Sequence, residues 1–168
     1  MTGVGAERDA DREPPAWERA VPDEASVEAL ASRFARRLEP PMVLYLRGDL
    51  GAGKTTFARA YVQALGFTGY VKSPSYGLLE TYEVAAQRVL HLDLYRIEDP
   101  EELEFLALRD LFTEQTVLLV EWPERGESYL PPPDLVLFFG EMDEARYIRC
   151  EARSPGGSAA ARSILADL

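Results

Sequence analysis

Residues 48–55 read Gly48-Asp49-Leu50-Gly51-Ala52-Gly53-Lys54-Thr55, which satisfies G-x-x-x-x-G-K-[ST] without a gap. No other segment constrains the fold as tightly, because this loop works only when a strand leads into it and a helix leaves it. Both neighbours are legible. The apolar run 42–46 predicts a strand that delivers the chain to Gly48. Residues 55–65 place Phe57, Ala60, Tyr61 and Ala64 on one side at helical spacing, and Gly66 stands where a C-terminal cap belongs. Glycines let consecutive backbone N–H groups turn inward toward phosphate oxygens, and the following helix presents its N-terminus to the same anion. Lys54 then offers a cation to the β- and γ-phosphates, and the Thr55 hydroxyl offers a ligand to Mg²⁺. Gly48, Asp49, Gly51, Ala52, Gly53, Lys54, Thr55 and Thr56 thus form the candidate cradle for a nucleoside triphosphate.

The rest of the chain alternates between helical and strand periods. Val27, Leu30, Ala31, Phe34 and Leu38 share one helix face, stopped by Pro40-Pro41. Residues 78–84 and 88–95 read as a hairpin, with Leu90, Leu92 and Leu94 on one side and His91, Asp93 and Tyr95 on the other. Asp99-Pro100-Glu101-Glu102 has the chemistry of a helix start. The run 117–120 is apolar at every position, as a strand covered on both faces should be. Residues 135–139 and 146–150 read as a final antiparallel pair around Gly140. Together these predict a three-layer α/β domain of the P-loop NTPase type with a mixed, mostly parallel central sheet. The expected layout is a flexible leader over 1–20, a nucleotide-binding domain over 21–153 and a loose tail over 154–168.

Composition narrows the function. A length of 168 residues supports one domain with a real core but not two. The net charge of −11 argues against this surface gripping a nucleic-acid backbone unaided, since phosphates need clustered Lys and Arg. A lone Cys150, no apolar leader and no membrane-length apolar run fit a cytoplasmic protein.

A phosphate loop of this kind needs an acid near its metal, usually at the end of a neighbouring apolar strand. Glu121 directly follows the 117–120 run and fills that position; an ordinary solvated strand end is the alternative. Asp93 lies on the polar side of its strand, where a bound cation or Arg96 would relieve a buried carboxylate. His91 shares that side, but a lone histidine is more often structural. Lys72-Ser73-Pro74-Ser75-Tyr76 is spaced like a switch segment, with hydroxyls to sense a γ-phosphate; a plain proline turn is the alternative. Trp122 and Tyr95 read either as core or as cover for a nucleotide.

In this order and spacing, GDLGAGKTT at 48–56, KSPSY at 72–76, HLDLYR at 91–96 and EWPE at 121–124 make the chain resemble the TsaE (YjeE) family of small bacterial ATPases. The resemblance spans about residues 21–150. It implies a part in forming N6-threonylcarbamoyladenosine at position 37 of tRNAs that read ANN codons, with TsaD and TsaB as partners and tRNA reached through them. It implies weak, Mg²⁺-dependent ATP hydrolysis that supports turnover of that assembly. Carried over by motif, Lys54 and Thr55 serve phosphate and Mg²⁺, Glu121 the metal, and Asp93 acid catalysis or water positioning. Trp122 would matter for activity. The family's SPT segment reads Ser73-Pro74-Ser75 here, so a methyl is lost while the Ser75 hydroxyl remains. Arg146 and Pro22-Asp23-Glu24 are expected near the nucleotide. A small-metabolite kinase and a nucleotide-gated module that does not hydrolyse remain open alternatives on the loop alone.

Overall fold

The computed structural model describes residues 16–74 and 78–168. Seven strands form one sheet: β1 (Ala16–Ala20), β2 (Met42–Gly48), β3 (Leu79–Val84), β4 (Gln87–Asp93), β5 (Thr116–Glu121), β6 (Leu135–Met142) and β7 (Ala145–Ala152). Their order is β1-β7-β6-β2-β5-β4-β3. The central four run parallel, and the antiparallel pairs lie outside them. The expected mixed sheet with a parallel centre is therefore present.

Alternation on each strand divides the core in two. Leu44, Leu46, Val117 and Leu119 face α1 (Glu24–Arg37), α2 (Lys54–Ala64) and α4 (Pro155–Ala166). Val43, Tyr45, Leu118 and Val120 face the other way. There the cover is thin: 3₁₀ turns at Pro100–Leu106, Pro123–Arg125 and Glu127–Tyr129, and the four-residue α3 (Leu108–Leu111). The helix expected at Asp99 is one of these turns. It carries the anticipated cap, with Asp99 accepting from Glu101 N at 3.0 Å.

Three expectations are corrected. Residues 16–20 are not leader but edge strand β1, antiparallel to β7. Its only buried side chain is Trp17, whose indole donates to Ala161 O at 3.1 Å, so one anchor among charged residues carried the signal. Residues 1–15 lie outside the described residues. The loose tail is helix α4. Ser154 caps it by accepting from Gly157 N at 3.0 Å and donates to Asp134 Oδ1 at 2.6 Å, with Pro155 in the first turn. Gly157 lets the helix close on the Asp134 backbone, where a side chain would collide. The β6–β7 turn falls at Asp143-Glu144, both at positive φ as a two-residue hairpin loop requires, and not at Gly140. Gly140 instead makes room in the strand for the ring of its partner Tyr147.

Candidate nucleotide-binding site

Strand β2 ends at Gly48, which only glycine suits. Its φ is +154°, and an added Cβ would lie 2.6 Å from the Phe139 carbonyl oxygen of β6. Gly53, at φ +108°, opens α2 with no side chain capping it. The helix N-terminus therefore faces the loop with backbone donors to offer.

Lys54 is only 4% exposed. Its ammonium donates to the Gly48 carbonyl and, at 3.0 Å, to the Asp49 carbonyl, and it lies 4.0 Å from the centre of the Trp122 ring. Burial pushes its pKa down, opposed by Glu121, Glu124, Asp93 and Asp49. Trp122 itself has φ +56°, uncommon for a bulky residue, and this turns the chain immediately after Glu121. Its ring packs 5.1 Å from Tyr95, and the Arg125 guanidinium lies about as far from both rings, at 5.0 Å and 5.1 Å.

The two strand-end acids stand side by side, because the parallel β4–β5 register pairs Asp93 with Glu121. Both point to the α2 side of the sheet and both are buried, at 6% and 2% exposure. Glu121 Oε1 accepts from the Thr55 hydroxyl at 2.8 Å, and Oε2 lies 2.6 Å from His91 Nε2. Asp93 Oδ1 accepts from Tyr95 N at 3.0 Å. His91, a lone histidine in the sequence, is thus a hydrogen-bond partner of the expected metal acid. The signal available was its place two residues before Asp93, on the same side of a strand beside Glu121.

Burial, and then the negative charge of Glu121, hold the Asp93 carboxyl above its ordinary value, with Tyr95 N–H, His91 and Lys54 opposing. A raised folded-state value means that ionising Asp93 costs stability. That cost is absent below the ordinary carboxylate range and grows as pH rises through the raised value. Asp93→Asn keeps the acceptor and removes the charge. Without nucleotide at about pH 7, its melting temperature is expected to exceed the parent's, at about 2–4 °C per kcal/mol relieved. The gap should close on acidification; an equal or lower midpoint at neutral pH contradicts this.

These groups border a cleft of about 430 Å³ formed by residues 50–56 with Ser73, Asp93, Tyr95, Arg96, Glu121 and Trp122. Of the expected site residues, Ser75 lies outside the described residues. Asp49 contributes its carbonyl, as described. Arg146 sits on β7 opposite Glu141, at the end of the sheet that carries the loop but outside the cleft wall. Asp23 caps α1, accepting from Ser26 N at 2.8 Å.

Among the described residues, no group of three His, Cys, Asp or Glu side chains could hold a metal by itself. The Thr55 hydroxyl and the two carboxylates are nonetheless hard oxygen donors. They fit an ion that keeps waters and phosphate oxygens in its shell, as Mg²⁺ does. No helix among the described residues is long and apolar enough to cross a membrane.

Residues 21–148 match the family described as threonylcarbamoyl adenosine biosynthesis protein TsaE. A relative from Haemophilus influenzae, named tRNA threonylcarbamoyladenosine biosynthesis protein TsaE, is 43% identical over 139 residues, covering 80% of this chain and 88% of its own. The protein of that name from Bacillus subtilis is 41% identical over 115 residues, covering 68% of this chain and 70% of its own. The crystal structure of YdiB from Bacillus subtilis superposes with a TM-score of 0.74 at 29% identity, covering 91% of this chain and 95% of that one. With a P-loop nucleotide-binding cleft and a family match across most of its length, the chain belongs to the TsaE family.

Proposed function

We propose that this chain binds ATP with Mg²⁺ in the cleft and hydrolyses it slowly to ADP and phosphate, in support of threonylcarbamoyladenosine formation at position 37 of ANN-reading tRNAs. The observation that supports this best is the Thr55–Glu121 hydrogen bond, which joins the helix of the phosphate loop to the strand-end acid. Lys54 moves from the Gly48 and Asp49 carbonyls and the Trp122 face to the phosphates. Thr55 and Glu121 would hold the metal, which would supply positive charge against the phosphates. His91 keeps Glu121 in place, and Asp93 orients the attacking water. Catalysis is then positioning plus electrostatic stabilisation, with no covalent step on the protein. The charge of −11 leaves the tRNA to basic partners, for which TsaD and TsaB are the proposed pair.

Two measurements test this reading. Cells depleted of the protein should lose threonylcarbamoyladenosine from their tRNA; unchanged tRNA would sink the biosynthetic role. In calorimetric titrations, Thr55→Ala should weaken ATP binding about 10–100-fold with Mg²⁺ present and little in a chelator. Equal losses in both conditions would remove Thr55 from the metal site.

A further inference from the structure

The thinly covered face of the sheet carries a second cavity. Between the 3₁₀ turns lies a groove of about 910 Å³, roughly twice the nucleotide cleft. Leu103, Leu108, Leu118 and Leu130 line it, with Phe112 and Pro132. Phe105, on the same turn as Leu103, is 88% exposed, the highest value among large hydrophobic side chains of the described residues. Water is a poor neighbour for such a ring, and a groove floored by leucines beside it is a surface that gains by being covered.

The rim selects what covers it. The segment 98–114 holds seven carboxylates against one cation of its own, Arg109, while Arg88 of β4 donates to Leu111 O at 3.4 Å. Capping accounts for Asp99 and Glu102, but not for Glu98, Glu104 or Glu114. Glu104 and Asp110 line the groove itself, as does Arg109. Burial, and then the charges of Glu101, Glu104 and Asp99, push the phenol of Tyr129, a groove residue, upward.

We propose that this groove docks a basic segment of a partner protein. An apolar side chain of that segment would sit on Leu103 and Leu108 beside Phe105, with arginine or lysine on the carboxylate rim. Complementary charge argues for this occupant and against the others. A second copy carries the same net charge of −11 and repels. Residues 1–15 hold four carboxylates, two arginines and no aromatic residue, a poor match to an acidic apolar groove. A nucleic acid has the wrong sign.

The test uses the full chain without nucleotide, so its outcome stands apart from the ATPase reading. A short fluorescein-labelled peptide alternating leucine and arginine is titrated by anisotropy at low salt, where micromolar affinity is expected, on the order of −8 kcal/mol. Phe105→Ser, Glu101→Gln with Glu104→Gln, and Ser128→Trp each should weaken binding about tenfold. All four positions are exposed, so the fold should survive, as unchanged melting would verify. Control peptides with serine for leucine, or citrulline for arginine, should also lose about tenfold. Equal binding of the serine peptide would mean mere adsorption to an acidic protein and overturn the proposal. Indifference to Phe105→Ser and Ser128→Trp would do the same. Displacement of the probe by a peptide of residues 1–15 would give the groove to this chain's own leader. A sedimenting dimer that excludes the probe would give it to a second copy.

Discussion

Exchange of Glu121 for glutamine is expected to lower phosphate release about 10²–10³-fold while shifting the melting temperature by only a few degrees. Both carboxylate oxygens are engaged, one by the Thr55 hydroxyl and the other by His91 Nε2. An amide of the same shape keeps one acceptor and must turn its N–H₂ toward the other partner. The volume is conserved, so the core around it stays filled. What disappears is the negative charge that a metal beside Thr55 would use. That charge also burdens Asp93, so its removal partly offsets the lost hydrogen bond. Phosphate release and thermal melting measured on the same preparation separate the two effects. Turnover within threefold of the parent's would dismiss Glu121 from the chemistry.

Gly48→Ala should be strongly damaging, because among the described glycines only Gly48 combines a close backbone neighbour with a positive φ. The new Cβ would press on the Phe139 carbonyl of β6, an atom fixed by its strand, while the backbone is held at a φ that disfavours side chains. Strain of about 1–3 kcal/mol from the dihedral adds to about 1–3 kcal/mol of overpacking. Together these predict a melting point lower by roughly 5–20 °C and a loop that no longer grips nucleotide. Gly51→Ala is the control, since open space surrounds its Cβ even though its φ is also positive, at +80°. If Gly48→Ala melts no lower than Gly51→Ala, steric closeness to β6 is not what reserves the position for glycine.

Those positions were legible because they combine an unusual residue with a periodic neighbour. The loop announces itself by glycines between a strand and a helix, and Glu121 by ending a fully apolar run. Asp93 stands out as a charge on one side of an alternating strand. The miscues share one cause: they depend on partners distant in sequence. Ser154-Pro155 reads as linker until Asp134 is found beside it, 20 residues away. The strand character of 16–20 rests on Trp17 reaching a helix 144 residues downstream. Asp143-Glu144 lacks the glycine or asparagine that usually marks a tight hairpin, and Gly140 drew attention in its place. The importance of His91 needed the β4–β5 register, which no local pattern states.

That register has a consequence for how this chain can change its length over evolution. Asp93 and Glu121 meet because two neighbouring strands end level, each with its acid turned to the α2 side. Adding or deleting one residue inside either strand would turn its acid to the opposite face and part the pair. Insertions and deletions among functional relatives should therefore gather in the connector between the two strands, residues 94–115, and spare β4 and β5 themselves. An alignment in which relatives keep both acids yet differ by a single residue within a strand would require a compensating bulge, and that bulge should be visible in their structures.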